Sequence, residues 1–119
     1  MRVALVADRL PEAAAAARTL AEQARPSDPA LADLAAAVAA APELPAMRLA
    51  YGEFSRTLIQ RLGTTGVPKG VFVYRCPMVT TYAFWLQTTS GLANPYMGTA
   101  MPTCGEGVSF KAALAAATK

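Results

Sequence analysis

Four sulfur side chains stand out in the C-terminal half: Cys76 and Met78 in "VYRCPM", and Met101 and Cys104 in "MPTC". These are the chain's only two cysteines, and it has no histidine. A proline lies inside each pair. Proline fixes its own φ and pushes the residue before it towards an extended conformation. In an extended segment residues i and i+2 face the same side, so Cys76 and Met78 are expected to point together. In "MPTC", Pro102 suits the second position of a type I turn, which brings Met101 and Cys104 within about 7 Å at Cα. The expectation is two preformed clips of two sulfurs each.

Thiolate and thioether are soft ligands that select Cu(I) over harder ions, and Ag(I) shares that preference. Zinc ordinarily takes Cys, His or carboxylate ligands, and histidine is missing here. A Cys-x-x-Cys motif is also absent, which argues against a zinc ribbon or a thioredoxin-like site. Blue copper needs two histidines. The expected metal ligands are therefore Cys76, Met78, Met101 and Cys104, with Cu(I) or Ag(I) as the ion. Trp85, Tyr82 and Tyr96 lie in the same lobe and would shield it. Arg75 is either a charge that lowers the pKa of the adjacent thiol or an ordinary solvated side chain.

A second reading stays open beside this one. Cys76 and Cys104 enclose about 28 residues, and a disulfide there would contribute about 3–4 kcal/mol in the chain-entropy model. The chain would then be a disulfide-closed structural or protein-interaction module with no metal. Met78 and Met101 would be core filler in that case. Met47 is assigned to the core of a helix. Met97, directly after Tyr96, fits either a core or a ligand role.

The elements that must position these residues divide the chain in two. At 119 residues it is expected to form a single domain with one core. Residues 1–63 read as helices. "RVALVA" reads as the end of a helix. Asp8 is expected to cap the next one, with Pro11 and Glu12 in its first turn. Ser27 or Asp28 is expected to cap a third helix running to about Ala41. A longer helix is expected from about Pro45 to Leu62. Its apolar positions Leu49, Tyr51, Phe54, Leu58, Ile59 and Leu62 recur at helical spacing, and Gly63 is placed as its C-terminal cap. Residues 64–119 read as a hairpin, Cys/Met loops and a short final helix capped by Ser109. "VFVYR" and "TYAFWLQTT" are the strand candidates. The fold class expected is mainly α: a helical bundle with a small C-terminal β-hairpin and a turn-rich, sulfur-containing lobe.

Composition excludes several functions. Net charge is +3, with 11 basic residues scattered rather than clustered, which argues against nucleic acid as partner. Hydrophobic content is 54%, but alanine runs such as "EAAAAAR" carry much of it, and no run is long enough to insert in a membrane. The start "MRVALVADRL" lacks the apolar region and cleavage site of a signal peptide. That fits either a cytosolic protein or an exported one whose signal segment is not in this chain. An enzyme is not expected: there is no histidine base, no paired carboxylate motif, and "GTTGVPKG" lacks the phosphate-loop spacing.

The order "CPM", "AFWLQ", "NPYMGTAMPTCGE" resembles a bacterial family of domains of unknown function. That family occurs alone in exported proteins and fused to periplasmic adaptor subunits of copper and heavy-metal efflux systems. The helix "MRLAYGEFSRTLIQRL" is similar to the family's Arg…Phe-x-x-Ser-x-x-Leu helix at Arg48, Phe54, Ser55 and Leu58. "VADRLPEAAAAARTL" is similar to its first motif. Cys76, Met78, Met101 and Cys104 match the family's sulfur positions, and Trp85, Asn94, Pro95, Tyr96, Gly98 and Gly105 match its scaffold positions. The chain departs from the pattern at Arg75, where many members have histidine, and at Met97, where members carry an aromatic. The resemblance implies a periplasmic or otherwise exported domain that binds a soft metal ion and works with a metal-efflux adaptor or transporter protein.

Overall fold

The fold was examined in a computed structural model, which describes residues 1–118. It is mainly α-helical with a small antiparallel sheet. Four helices, α1 (Arg2–Val6), α2 (Leu10–Ala24), α3 (Pro29–Ala40) and α4 (Leu44–Thr65), precede the strands β1 (Phe72–Arg75), β2 (Phe84–Gln87) and β3 (Glu106–Gly107). A 3-10 turn covers Gly98–Ala100, and α5 (Phe110–Ala117) closes the described chain. Among the described residues no helix is long and apolar enough to cross a membrane.

The helices form where alanine repeats supply low-cost helical backbone and a proline marks the first turn. On α2 the buried residues are Ala13, Ala14, Ala17 and Ala21, and on α3 Ala32, Ala35 and Val38. Their spacing of three and four puts each set on one face. α4 contributes Met47, Tyr51, Phe54 and Ile59, so Met47 is a core residue as expected. Leu49 departs from the expected stripe and is 58% exposed.

Two caps fall where the residue types place them. The Asp28 carboxylate accepts from Leu31 N at 3.1 Å, and the Ser109 hydroxyl accepts from Ala112 N at 3.1 Å. Replacing Ser109 by alanine leaves an orphan N–H at the start of α5 and is expected to cost about 1 kcal/mol. A urea-unfolding midpoint that does not move would overturn it.

Two expectations need correction, and the expected hairpin gains a third strand. Asp8 does not cap α2: the capping position is Arg9, without a side-chain bond, and Asp8 is drawn instead to Arg48 and Thr99. Gly63 does not end α4, which continues to Thr65 and is capped at Gly66. Gly63 is a helical position against Leu114 of α5, where a Cβ would approach the leucine methyls to 2.9 Å. The hairpin is the larger part of a three-stranded sheet in the order β2-β1-β3. β1 pairs with β2 in the register Tyr74↔Trp85 and with β3 in the register Arg75↔Glu106.

The sheet joins two apolar clusters. Cys76, Ala83, Trp85 and Tyr96 pack with Tyr51, Phe54 and the helical alanines. Val73 packs with Ile59, Ala113 and Ala117, so α5 covers the other face. α4 and the sheet are tied by Ser55, whose hydroxyl donates to Phe84 O at 2.8 Å.

Candidate functional site

Cys76 lies one residue beyond β1 and donates its N–H to Ala83 O at 2.9 Å, which extends the hairpin ladder to it. Its side chain is fully buried beside Trp85 in the main core. Pro77 and Met78 then form a turn. The expected extended "CPM" is therefore corrected: the chain reverses at once, Cys76 points into the core, and Met78 is 59% exposed. Cys76 before the proline keeps the extended ladder, but the segment does not stay extended through Met78, because the hairpin must turn between Cys76 and Ala83 to keep its strands paired.

The second clip has the expected shape. Cys104 N donates to Met101 O at 3.2 Å, so residues 101–104 close a β-turn. Cys104 is half-buried and Met101 is 40% exposed. The two cysteines stand as separate thiols. Since Arg75 pairs with Glu106, continuing that antiparallel register sets Cys76 opposite Gly105, the residue next to Cys104. Gly105 has φ 150°, and a Cβ there would lie 3.0 Å from the Trp85 ring and 3.1 Å from Arg75 O. The segment bearing Cys104 thus runs hard against Trp85, where only glycine fits without a shift. The structure brings the two cysteine-bearing segments together and leaves both thioethers outward.

Of the three aromatics, Trp85 and Tyr96 share the main core cluster with Cys76. Trp85 is fully buried, with its ring 5.6 Å from Tyr74 and 5.9 Å from Tyr96. Tyr96 donates its hydroxyl to Phe84 O at 2.6 Å, and burial pushes its phenol pKa well up, so it remains a donor. Tyr82 instead turns to α5, donating to Ala113 O at 2.9 Å. The Arg75 guanidinium is held by the Glu106 carboxylate at 2.8 Å. Met97 packs against the main core, half-buried. Among the described residues no three His, Cys, Asp or Glu side chains group as metal ligands.

Two polar residues shape the loops around the sulfurs. Asn94, fully buried, donates to Cys104 O at 2.6 Å and accepts from Tyr96 N at 2.8 Å and Met97 N at 3.1 Å. Its own N–H donates to Pro102 O at 2.7 Å. It closes residues 94–104 into one compact loop. Gln87, 4% exposed, accepts from the Trp85 indole N–H at 2.9 Å and donates to Thr89 O and Gly91 O. It holds the turn after β2 and fixes the indole.

The sulfur loop is also tied to the helices. Arg48 of α4 donates Nε to Pro95 O at 2.9 Å and Nη2 to Leu5 O at 2.8 Å and Asp8 Oδ1 at 2.5 Å. Asp8 in turn accepts from Thr99 N at 3.3 Å and from the Thr99 hydroxyl. Hydrogen bonds from Thr99, then the Arg48 guanidinium, hold the Asp8 carboxyl below the usual range. Asp8 has φ 57°, a left-handed conformation that Asp tolerates better than most residues. Arg48, Asp8 and Gln87 were not legible as site residues. The available signal was the family resemblance, at Arg48 and in the "VADRL" segment that contains Asp8, and it carried no role for either.

Compared with protein-family models, with curated proteins and with solved structures, the chain matches none.

Proposed function

We propose that this chain binds Cu(I), or Ag(I), through the thiolates of Cys76 and Cys104 with thioether donation from Met78 and Met101. It would hold, buffer or hand over the ion as an exported, non-catalytic domain working with a metal-efflux adaptor or transporter. The observation that carries the reading is the pairing of the two cysteine-bearing segments through β1 and β3, each with an exposed methionine on its adjoining turn. The burial gradient gives an order of events. Exposed thioethers meet the ion first, and the buried Cys76 side holds it away from water. Sulfur-only donors without histidine favour a soft monovalent ion. The resemblance of the Cys-Pro-Met and Met-x-x-Cys segments to a family associated with heavy-metal efflux supports the same choice.

The test is titration of the reduced protein with Cu(I) against bicinchoninate. One equivalent is expected to bind. Loss of an outer-shell partner alone often costs about 10–100-fold in metal affinity, so Cys76→Ser with Cys104→Ser is expected to cost more than about 100-fold. No binding, or binding unchanged in the double variant, overturns the reading. A count of free thiols on protein purified without reductant decides the disulfide-closed alternative: two free thiols exclude it.

A further inference from the structure

We infer that Asp8 and Arg48 are positioning residues for the sulfur loop: together they latch residues 94–101 onto the helical body and thereby set where the Met101–Cys104 clip sits. This rests on the soft-metal reading for its consequence, but not for its geometry.

The latch grips the loop at two points. Arg48 Nε holds Pro95 O at 2.9 Å near the start of the loop. Asp8 holds Thr99 through its backbone N–H and its hydroxyl, two residues before Met101. Arg48 Nη2 joins the grips at 2.5 Å from Asp8 Oδ1 and anchors on Leu5 O. Gly98 lies between the grips, and a Cβ there would overlap Asp8 Oδ1 and Arg48 Nη2, so the loop backbone lies directly on the ion pair. Its side chains are 17% and 34% exposed, against 45% and 23% for Arg61–Asp28 and 53% and 73% for Arg25–Asp33, so the guanidinium is the more enclosed partner here. An enclosed, charge-assisted, multidentate contact holds geometry where an exposed one does not.

Among the described residues, the turn at 101–104 makes no side-chain ion pair or hydrogen bond to the helices. Its anchors are the Asn94 bonds, the packing of Gly105 on Trp85 and the strand pairing that begins at Glu106. Opening the latch therefore frees the Met101–Cys104 side while Cys76, fixed by the β1–β2 hairpin, stays buried. Metal held between the two sides would then escape faster.

The experiment has a metal-free arm and a metal arm. The variants are Asp8→Asn, which keeps a residue tolerant of the left-handed backbone, and Arg48→Met. Arg61→Met breaks the Arg61–Asp28 pair far from the loop and serves as control. In the metal-free arm, iodoacetamide alkylation is followed separately at the two thiols. Cys104 is expected to react about tenfold faster in both latch variants, the effect of losing one charge-assisted contact, with Cys76 unchanged. A general loss of stability would expose both thiols together, so the selectivity separates positioning from mere stabilisation. In the metal arm, release of Cu(I) to bicinchoninate is expected to quicken about tenfold in the latch variants and not in Arg61→Met. If Arg48→Met does not fold, Thr99→Val removes a single hydroxyl bond of the latch and is read in the same way. Cys104 alkylation at the wild-type rate in a folded latch variant overturns the inference. Absence of Cu(I) uptake by the wild type overturns the metal reading alone, because the alkylation arm still decides the latch.

Discussion

Asn94→Ala is expected to destabilise the protein by about 3 kcal/mol or more, without touching a sulfur ligand. The side chain is fully buried and satisfies three main-chain groups: Cys104 O, Tyr96 N and Met97 N. Truncation strands the Tyr96 N–H in a buried site and takes the partner from Met97 N and Cys104 O, which are part-buried. Stranding one buried polar group costs about 1–3 kcal/mol, and the three costs do not simply add because one loop carries them all. Set against a typical stability of about 5–15 kcal/mol, the loss is large. Asn94→Asp separates the parts. It retains the acceptor for Tyr96 and Met97 but replaces the donor to Cys104 O with a buried carboxylate. Burial raises that carboxyl's pKa above its unfolded value, so its neutral form is favoured in the fold. The protonated group can donate again, and the variant's deficit is expected to shrink as pH falls through that raised pKa. Urea unfolding of both variants at pH 7 and pH 5 measures this. A cost under about 1 kcal/mol for Asn94→Ala would mean that the loop is held mainly from outside.

How far the fold could be read in advance depends on whether the deciding partner is near in sequence. Ser109 was legible as a cap, and Asp28 as one of two candidates beside Ser27, because the N–H groups they satisfy lie three residues on. Asp8 has the same local credentials, but its partners are 40 and 91 residues away, and they win. The ends of α4 slipped for a related reason. Gly63 looks like a stop signal, yet a helical glycine there lets Leu114 pack closely, and the stop moves to Gly66. β3 was not legible at all. Glu106 and Gly107 have no strand propensity, and the strand exists only because Tyr74 and Arg75 offer an open edge.

The candidate site divides along the same line. The residue types and the "MPTC" turn were readable because a proline-led turn is local chemistry. The direction of each sulfur was not. Cys76 and Met78 part because the strand ends between them, which depends on the pairing of Cys76 with Ala83. Gln87 reads only as the end of a strand candidate and Asn94 only as a scaffold position of the resembled family, so neither announces its bonds. They are buried because loops that turn tightly against a core leave main-chain groups that only a side-chain amide can reach from both sides.

Gly98→Ala is expected to cost about 3 kcal/mol, whereas Gly91→Ala should be close to neutral. Gly98 has φ 59°, where an L-residue costs about 1–2 kcal/mol relative to glycine. The rest of the penalty comes from its neighbours. The added methyl would overlap Asp8 Oδ1 and Arg48 Nη2, so either the loop lifts or the ion pair opens. Gly91 has open space around it and no positive φ, so the same substitution there only stiffens the unfolded chain. A double-mutant cycle separates backbone from contact. In an Arg48→Ala background the Cβ at 98 loses one of the groups it overlaps. The cost of Gly98→Ala should therefore fall by about 1–2 kcal/mol, leaving the backbone part and the overlap with Asp8 Oδ1. Strict additivity of the two substitutions would leave the Arg48 guanidinium no part in the cost. It would mean that the loop does not rest on Arg48.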